Sequence, residues 1–238
     1  MGLFDIFKRN DKPKKEKLEQ SSTPNFKTLL DEVEKKVFAT LKPIGFKKKG
    51  RTFNREIEKG IFQVVNLQTG QYPIGQSYEV PGLRENLYGK FVVNLGVCVD
   101  SLYRFQYPSE NKDFYKEYEC QIRTRLCNLT KGQDFWWTIN NDTDDIANEI
   151  NEGLANAGLD WFAGVNTKEK IIKNFGNQPY TSTPSAKLDV ALLVWFDDKE
   201  KGTEPYNQYL HSLPKSKNGH KEYVEELAKE IGIKIARQ

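Results

Sequence analysis

Between Phe46 and Ile139 the apolar residues alternate as they do in strands, and beyond Asn140 they recur with the helical period of about 3.6. A chain that reads strands first and helices later folds as α+β, pairing neighbouring strands in an antiparallel meander and laying helices on it. The strand readings are Phe46 to Arg55, Ile61 to Gln68, Lys90 to Val99, Glu119 to Leu129 and a short Phe135 to Ile139, punctuated by Gly50, Gly60, Gly70 and Gly89. They predict a sheet of about four or five strands. Ahead of it, Phe26, Leu29, Leu30, Val33, Val37, Phe38 and Leu41 keep the i, i+3, i+4, i+7 rule between Pro24 and Pro43, which predicts an N-terminal helix. After it, Asp142 is placed to cap a helix with Asp144 and Asp145 in its first turn and Ile146, Ile150, Leu154 and Ala157 on its inner stripe. Further helices are predicted at Lys168 to Phe175, Ser185 to Phe196, Tyr206 to Leu213 and His220 to Ile231. The core expected from these patterns includes Leu30, Val33, Val37, Val65, Leu67, Val93, Leu95, Leu192 and Trp195.

Residues 1–24 differ in composition from the remainder of the chain, which divides into a basic, amphipathic N-terminal segment and a single α+β domain over residues 25–238. Leu3, Phe4, Ile6 and Phe7 recur at helical spacing, with Lys8 and Arg9 behind them and a Lys-rich stretch further on. The favoured reading is a frayed terminus whose apolar groups dock on the domain. The other is weak contact with an anionic membrane surface. Gly2 does not complete a myristoylation motif, because Ile6 stands where Ser or Thr is needed. The longest strongly apolar run, Val190 to Phe196, is far short of the roughly 20 residues of a bilayer-crossing helix. Cys98, Cys120 and Cys127 form neither an even disulfide set nor a CxxC pair, and no signal-peptide core precedes them. Reduced thiols in a cytoplasm are expected, with a peripheral position at the inner membrane surface as the alternative.

The search for catalytic chemistry is largely negative. His211 and His220 are the two histidines, and neither belongs to a metal or nucleophile signature. Asp142, Asp144, Asp145, Glu149 and Glu152 crowd one region, but helix capping and a solvated face account for them, and the EF-hand spacing fails. No metal and no cofactor are inferred. With 36 basic against 33 acidic side chains, a formal net charge of +3 sets up no field that would gather nucleic acid. Lys47, Lys48, Lys49 and Arg51, with Trp136 and Trp137 as stacking candidates, keep that reading alive. A lysine run also guards an edge strand, and paired tryptophans more often belong to a core and its margin.

The more informative feature is a second face of the sheet. If Phe91, Val93, Leu95, Val97 and Val99 face the helices, alternation puts Val92, Asn94, Gly96 and Cys98 behind them. The same logic groups Phe62, Val64, Asn66 and Gln68, and sets Gln121, Arg123 and Arg125 against Cys120, Ile122 and Leu126. Asn66, Gln68, Asn94, Arg123 and Arg125 thereby become candidates for a surface that takes an acidic or amide-rich protein partner through directional hydrogen bonds. The competing reading is an ordinary solvated face, or one covered by the C-terminal helices.

Phe26 to Leu41, followed by Pro43-Ile-Gly-Phe46-Lys-Lys-Lys-Gly50-Arg-Thr-Phe53, Val64-Val65-Asn66-Leu67-Gln68 and Phe91-Val92-Val93-Asn94-Leu95-Gly96-Val97, resembles the bacterial family called domain of unknown function 4304. The likeness covers about residues 26–130, with Gln71 to Leu87 as an insertion between two strands. It implies an intracellular bacterial protein of α+β fold with no assigned activity, some of whose relatives are suspected to act in toxin-immunity settings, and it brings no catalytic residues. The expectation is a non-enzymatic protein-binding module, an immunity-type inhibitor of a toxin or effector. The alternatives are a peripheral membrane adaptor and a carboxylate-based hydrolase.

Overall fold

The structure, a computed structural model, describes residues 25–70, 87–180 and 185–236. The N-terminal residues Leu3, Phe4, Ile6, Phe7, Lys8 and Arg9, read above as membrane contacts, lie outside them, as does all but the last residue of the Gln71–Leu87 insertion.

Helix α1 (Phe26–Leu41) opens at Asn25, whose Oδ1 accepts from the Thr28 amide, and its buried stripe is Leu30, Val33, Val37 and Leu41. The sheet follows as β1 (Lys47–Lys49), β2 (Thr52–Glu58), β3 (Ile61–Thr69) and β4 (Lys90–Val99), a meander in which every pairing is antiparallel. β5 (Ile122–Arg125) and the two-residue β6 (Trp137–Thr138) both pair with β4, giving six strands in one sheet among the described residues. Phe46 to Arg55 is therefore not one strand. Gly50, at a φ of 59° that disfavours other residues, turns it into the β1–β2 hairpin. β1 is the edge, and all three of its lysines are exposed. Lys48 and Arg51 are matched by Glu34 and Asp31 on α1, so much of the basic run is spent within the fold.

The front face of the sheet, with Phe53, Val65, Leu67, Phe91, Val93, Leu95 and Val97, is fully buried. It shares one apolar cluster with α1 and the helical second half: α4 (Thr143–Gly153), a π-helical stretch Leu154–Gly158, and α5 (Leu159–Ala163). The wider π turn rotates the inner stripe, so that Gly158 rather than Ala157 meets Leu95 and Leu126. Asp142 stands at the N-cap of α4 but its side chain makes no capping bond. Lys36 of α1 serves the helix start instead, through Thr143 Oγ1 at 2.8 Å and Asp144 at 2.6 Å.

Several expectations need correction. Glu119 to Leu129 is strand only over β5, because the chain turns into a helical turn, α3 (Leu126–Thr130). Helix α2 (Asp100–Gln106), directly after β4, was unmarked by any break signal. α6 (Lys168–Asn174), α7 (Ala186–Asp197), α8 (Lys199–Ser212) and α9 (Asn218–Ile231) follow. α8 begins well before Tyr206 and carries Pro205 inside it, its start fixed by Asp198 Oδ1, which accepts from the Glu200 and Lys201 amides at 3.1 Å each. Trp195 is half-buried rather than core, lying at the α7–α8 crossing with Lys199 Nζ 5.3 Å from its ring.

Candidate functional site

The rear face of the sheet is neither uniformly solvated nor roofed by the C-terminal helices. One half is dry: Phe62, Val64 and Cys98 form a second apolar cluster with Tyr103, Tyr115 and Cys120 from the segment between β4 and β5. Cys120 thus lies behind the sheet with Cys98, whereas Ile122 and Leu126 belong to the front core, which corrects the grouping drawn from alternation. Burial pushes the Cys120 thiol well above the ordinary range, so it is inert as a nucleophile. The covering segment is pinned from within the sheet. Asn54, mid-strand and buried, donates to Tyr115 O at 2.8 Å and accepts from Tyr115 N at 2.6 Å, and Gln121 Oε1 accepts from Val99 N at 2.9 Å. Gly96 makes room for it, since a Cβ there would stand 2.7 Å from Cys120 Sγ.

The other half of the rear face is a cleft of about 950 Å³. Register builds its floor. Thr52 pairs with Asn66, Asn66 with Asn94 and Asn94 with Arg125, so one transverse row carries four polar side chains across four strands. Residues directly opposite in an antiparallel sheet share a face, which is why the row points one way. Arg123, opposite Gly96, and Gln68, opposite Val92, extend it on either side. All five residues singled out from alternation, Asn66, Gln68, Asn94, Arg123 and Arg125, line this cleft. The wall is the end of the covering segment, Lys116, Glu117 and Tyr118, and Asn128 and Asp134 close the far side.

Inside the cleft some polar groups are committed and others are not. Asn66 Nδ2 donates to Thr52 Oγ1 at 3.0 Å and Arg51 O at 3.1 Å, and Asn94 Nδ2 donates to Gln68 Oε1 at 2.8 Å, which fixes both amides. Arg125 is paired through Nη1 with Asp134 and sits 5.2 Å from the Trp136 ring, so Trp136 supports an arginine while Trp137 is buried in the core. Arg123 differs. Its Nε lies 3.7 Å from Glu117, an ion contact too long for a hydrogen bond, and among the described residues its guanidinium donates no hydrogen bond. Burial raises the Glu117 carboxyl above its usual range against the opposing pull of Arg123 and Arg125. Tyr118, 72% exposed, stands at the rim as an unsheltered aromatic surface. Three cations, Lys116, Arg123 and Arg125, face two carboxylates, Glu117 and Asp134, while Arg51 on the same floor is held by Asp31. The balance favours an anionic guest.

The wall was not read from the sequence, because residues 107–118 carry no periodic pattern. The available signal was Asn54, a buried-type strand position occupied by an amide, which demands a hydrogen-bond partner from elsewhere. Among the described residues no group of three or more His, Cys, Asp or Glu side chains is placed to hold a metal, and no helix is long and apolar enough to cross a membrane.

Fold and cleft together define an α+β protein with a polar, arginine-bearing recess on the rear of an antiparallel sheet. The chain belongs to the family described as Domain of unknown function (DUF4304), whose model matches residues 37–164. The match starts inside α1 and runs to the end of α5, so it reaches beyond the span 26–130 into the helices that flank the sheet. Searches of curated proteins and of solved structures returned no match.

Proposed function

We propose that the protein is a non-enzymatic binding module that receives a carboxylate-bearing segment of a protein partner in the rear cleft. The observation that supports this most directly is Arg123, a guanidinium with unspent donors beside a row of oriented amides. Guanidinium and amide groups recognise carboxylates and peptide groups by geometry, and neither changes protonation near neutral pH, which suits recognition better than proton transfer. Tyr118 at the rim supplies rigid apolar area for the same partner. An immunity-type inhibitor that covers the active site of a toxin or effector is the specific form of this reading that we favour. It requires an acidic rim on that active site.

The test is affinity capture from native lysate of the source cells with wild type and an Arg123→Ala, Arg125→Ala double variant whose circular dichroism is unchanged, followed by direct affinity measurement on each purified partner. Loss of one central arginine should cost about 2 kcal/mol, roughly 30-fold in Kd. Partners bound equally well by the folded double variant would refute the proposal.

A further inference from the structure

A second recess, chemically opposite to the first, lies where α2, α7 and α9 meet. It is a cavity of about 250 Å³ walled by Leu102, Phe105, Leu188 and Leu192, and among the described residues its one charged side chain is Asp189 in the first turn of α7. Asp189 is only 6% exposed, and among the described residues no hydrogen-bond donor or cation meets its carboxylate, burial being the one influence on it. His220, on the same wall, is held by Tyr209, its Nε2 lying 2.7 Å from the phenol oxygen. Tyr223, 51% exposed, and the exposed Gln106 stand at the mouth.

A carboxylate taken out of water without a partner costs several kcal/mol, and a fold retains one cheaply only by keeping it protonated or by giving it a counter-charge. Burial alone raises the Asp189 carboxyl to about 7, so both states are within reach near neutrality. The titratable groups around it among the described residues are Tyr209 from α8, His220 and Tyr223 from α9, and, across a neighbouring cavity that Asp189 also lines, Tyr103 from α2 with Tyr107, Glu110, Tyr118, Glu119 and Cys120. Lys112, 4.3 Å from the Tyr103 ring that lines that second cavity, is already taken by Glu110 at 2.9 Å and Glu119 at 2.7 Å. Among the described residues no lysine or arginine lines either cavity.

We infer that the α2–α7–α9 cavity is a binding site for an alkylammonium group, with Asp189 as counter-ion, the leucine and phenylalanine walls against the methylene stem, and Tyr223 over the entrance. An anion is repelled by Asp189. A metal ion would find one carboxylate amid apolar walls where it needs several oxygen ligands. A neutral alcohol would fill the space and leave the charge unmatched. A protonated amine matches charge, shape and wall chemistry together, with the aromatic rim adding a cation–π contribution. The ammonium can come from a free amine or from a lysine side chain of another protein.

The experiment titrates the full chain at about pH 8, where alkylamines are charged and Asp189 is largely ionised, with n-butylamine, Nα-acetyl-lysine methylamide and 1-butanol, following backbone amide shifts of Phe105, Leu188 and Tyr223 by NMR. Saturable shifts with either amine and none with 1-butanol are expected; butylamine alone points to a free amine, the lysine derivative alone to a protein side chain. Asp189→Asn keeps the shape and removes the charge, and should weaken binding about tenfold or more. A measurement needing no variant is calorimetry of butylamine binding at about pH 6.5 in buffers of different ionisation heat, which should show proton release as Asp189 is forced to ionise. No amine binding below about 50 mM, equal binding of 1-butanol, undiminished binding by Asp189→Asn, or a heat independent of buffer would each overturn the assignment.

Discussion

Asp189 is also where one residue sets a pH dependence. In the unfolded chain an aspartate titrates near 3.9, whereas in the fold burial moves Asp189 from 3.8 to about 7. A carboxyl whose folded pKa is raised holds its proton longer in the folded state, so the stability it lends is complete below about pH 4 and is lost as pH rises through about 7. Asp189→Asn removes that slope. In urea denaturation the variant should equal wild type near pH 4 and exceed it by roughly 4 kcal/mol near pH 8. A difference that does not grow with pH would refute the argument. The residue was visible in the sequence as an aspartate inside the apolar stretch Ala186 to Phe196, but its isolation depends on α2 and α9 arriving from distant parts of the chain. Asn66, Asn94 and Arg125 were the easier case, because a period of two fixes the face once the strand is known and only the register remained to be supplied.

Among the elements, the α7–α8 hairpin shows two effects of opposite sign at one position. Gly202 lies inside α8, where alanine would ordinarily gain about 1 kcal/mol of helix propensity. Here a Cβ would stand 2.2 Å from Trp195 Cα and 2.4 Å from its backbone nitrogen, and that atom is main chain that cannot rotate aside. Overpacking against backbone costs about 3 kcal/mol, so the steric effect wins. Gly202→Ala should lower the urea midpoint without changing the slope, and a more stable variant would show that the two helices separate freely. This contact also marks what patterning could not reach. The helix expected from Tyr206 starts instead at Lys199, where the Asp198 cap sets it, and Pro205 is accommodated within the helix. The short α2 escaped because β4 runs into it without a glycine or proline, and β5 was overextended because Leu126 and Cys127 continue its apolar pattern after the backbone has turned helical.

At the scale of the whole molecule, one apolar cluster runs from α1 through the front of the sheet to α9, with the smaller rear cluster bolted on through Asn54. The Lys-rich, proline-flanked residues 1–24 have the composition of a tether, so deleting them should move the thermal midpoint by less than about 2 °C, and a drop of many degrees would refute that view. The sheet-then-helices plan was legible because periodicity is local, whereas the cleft's wall depends on a segment returning over the sheet from some 60 residues beyond Asn54. That mode of attachment separates two kinds of mutational freedom. The floor of the cleft is woven into the strands, where every substitution also tests the fold, but Lys116, Glu117 and Tyr118 hang from anchors at Asn54 and Gln121 that they do not share. A lineage could exchange those three side chains to change its guest while leaving the architecture alone, much as a lock is rekeyed without replacing the door.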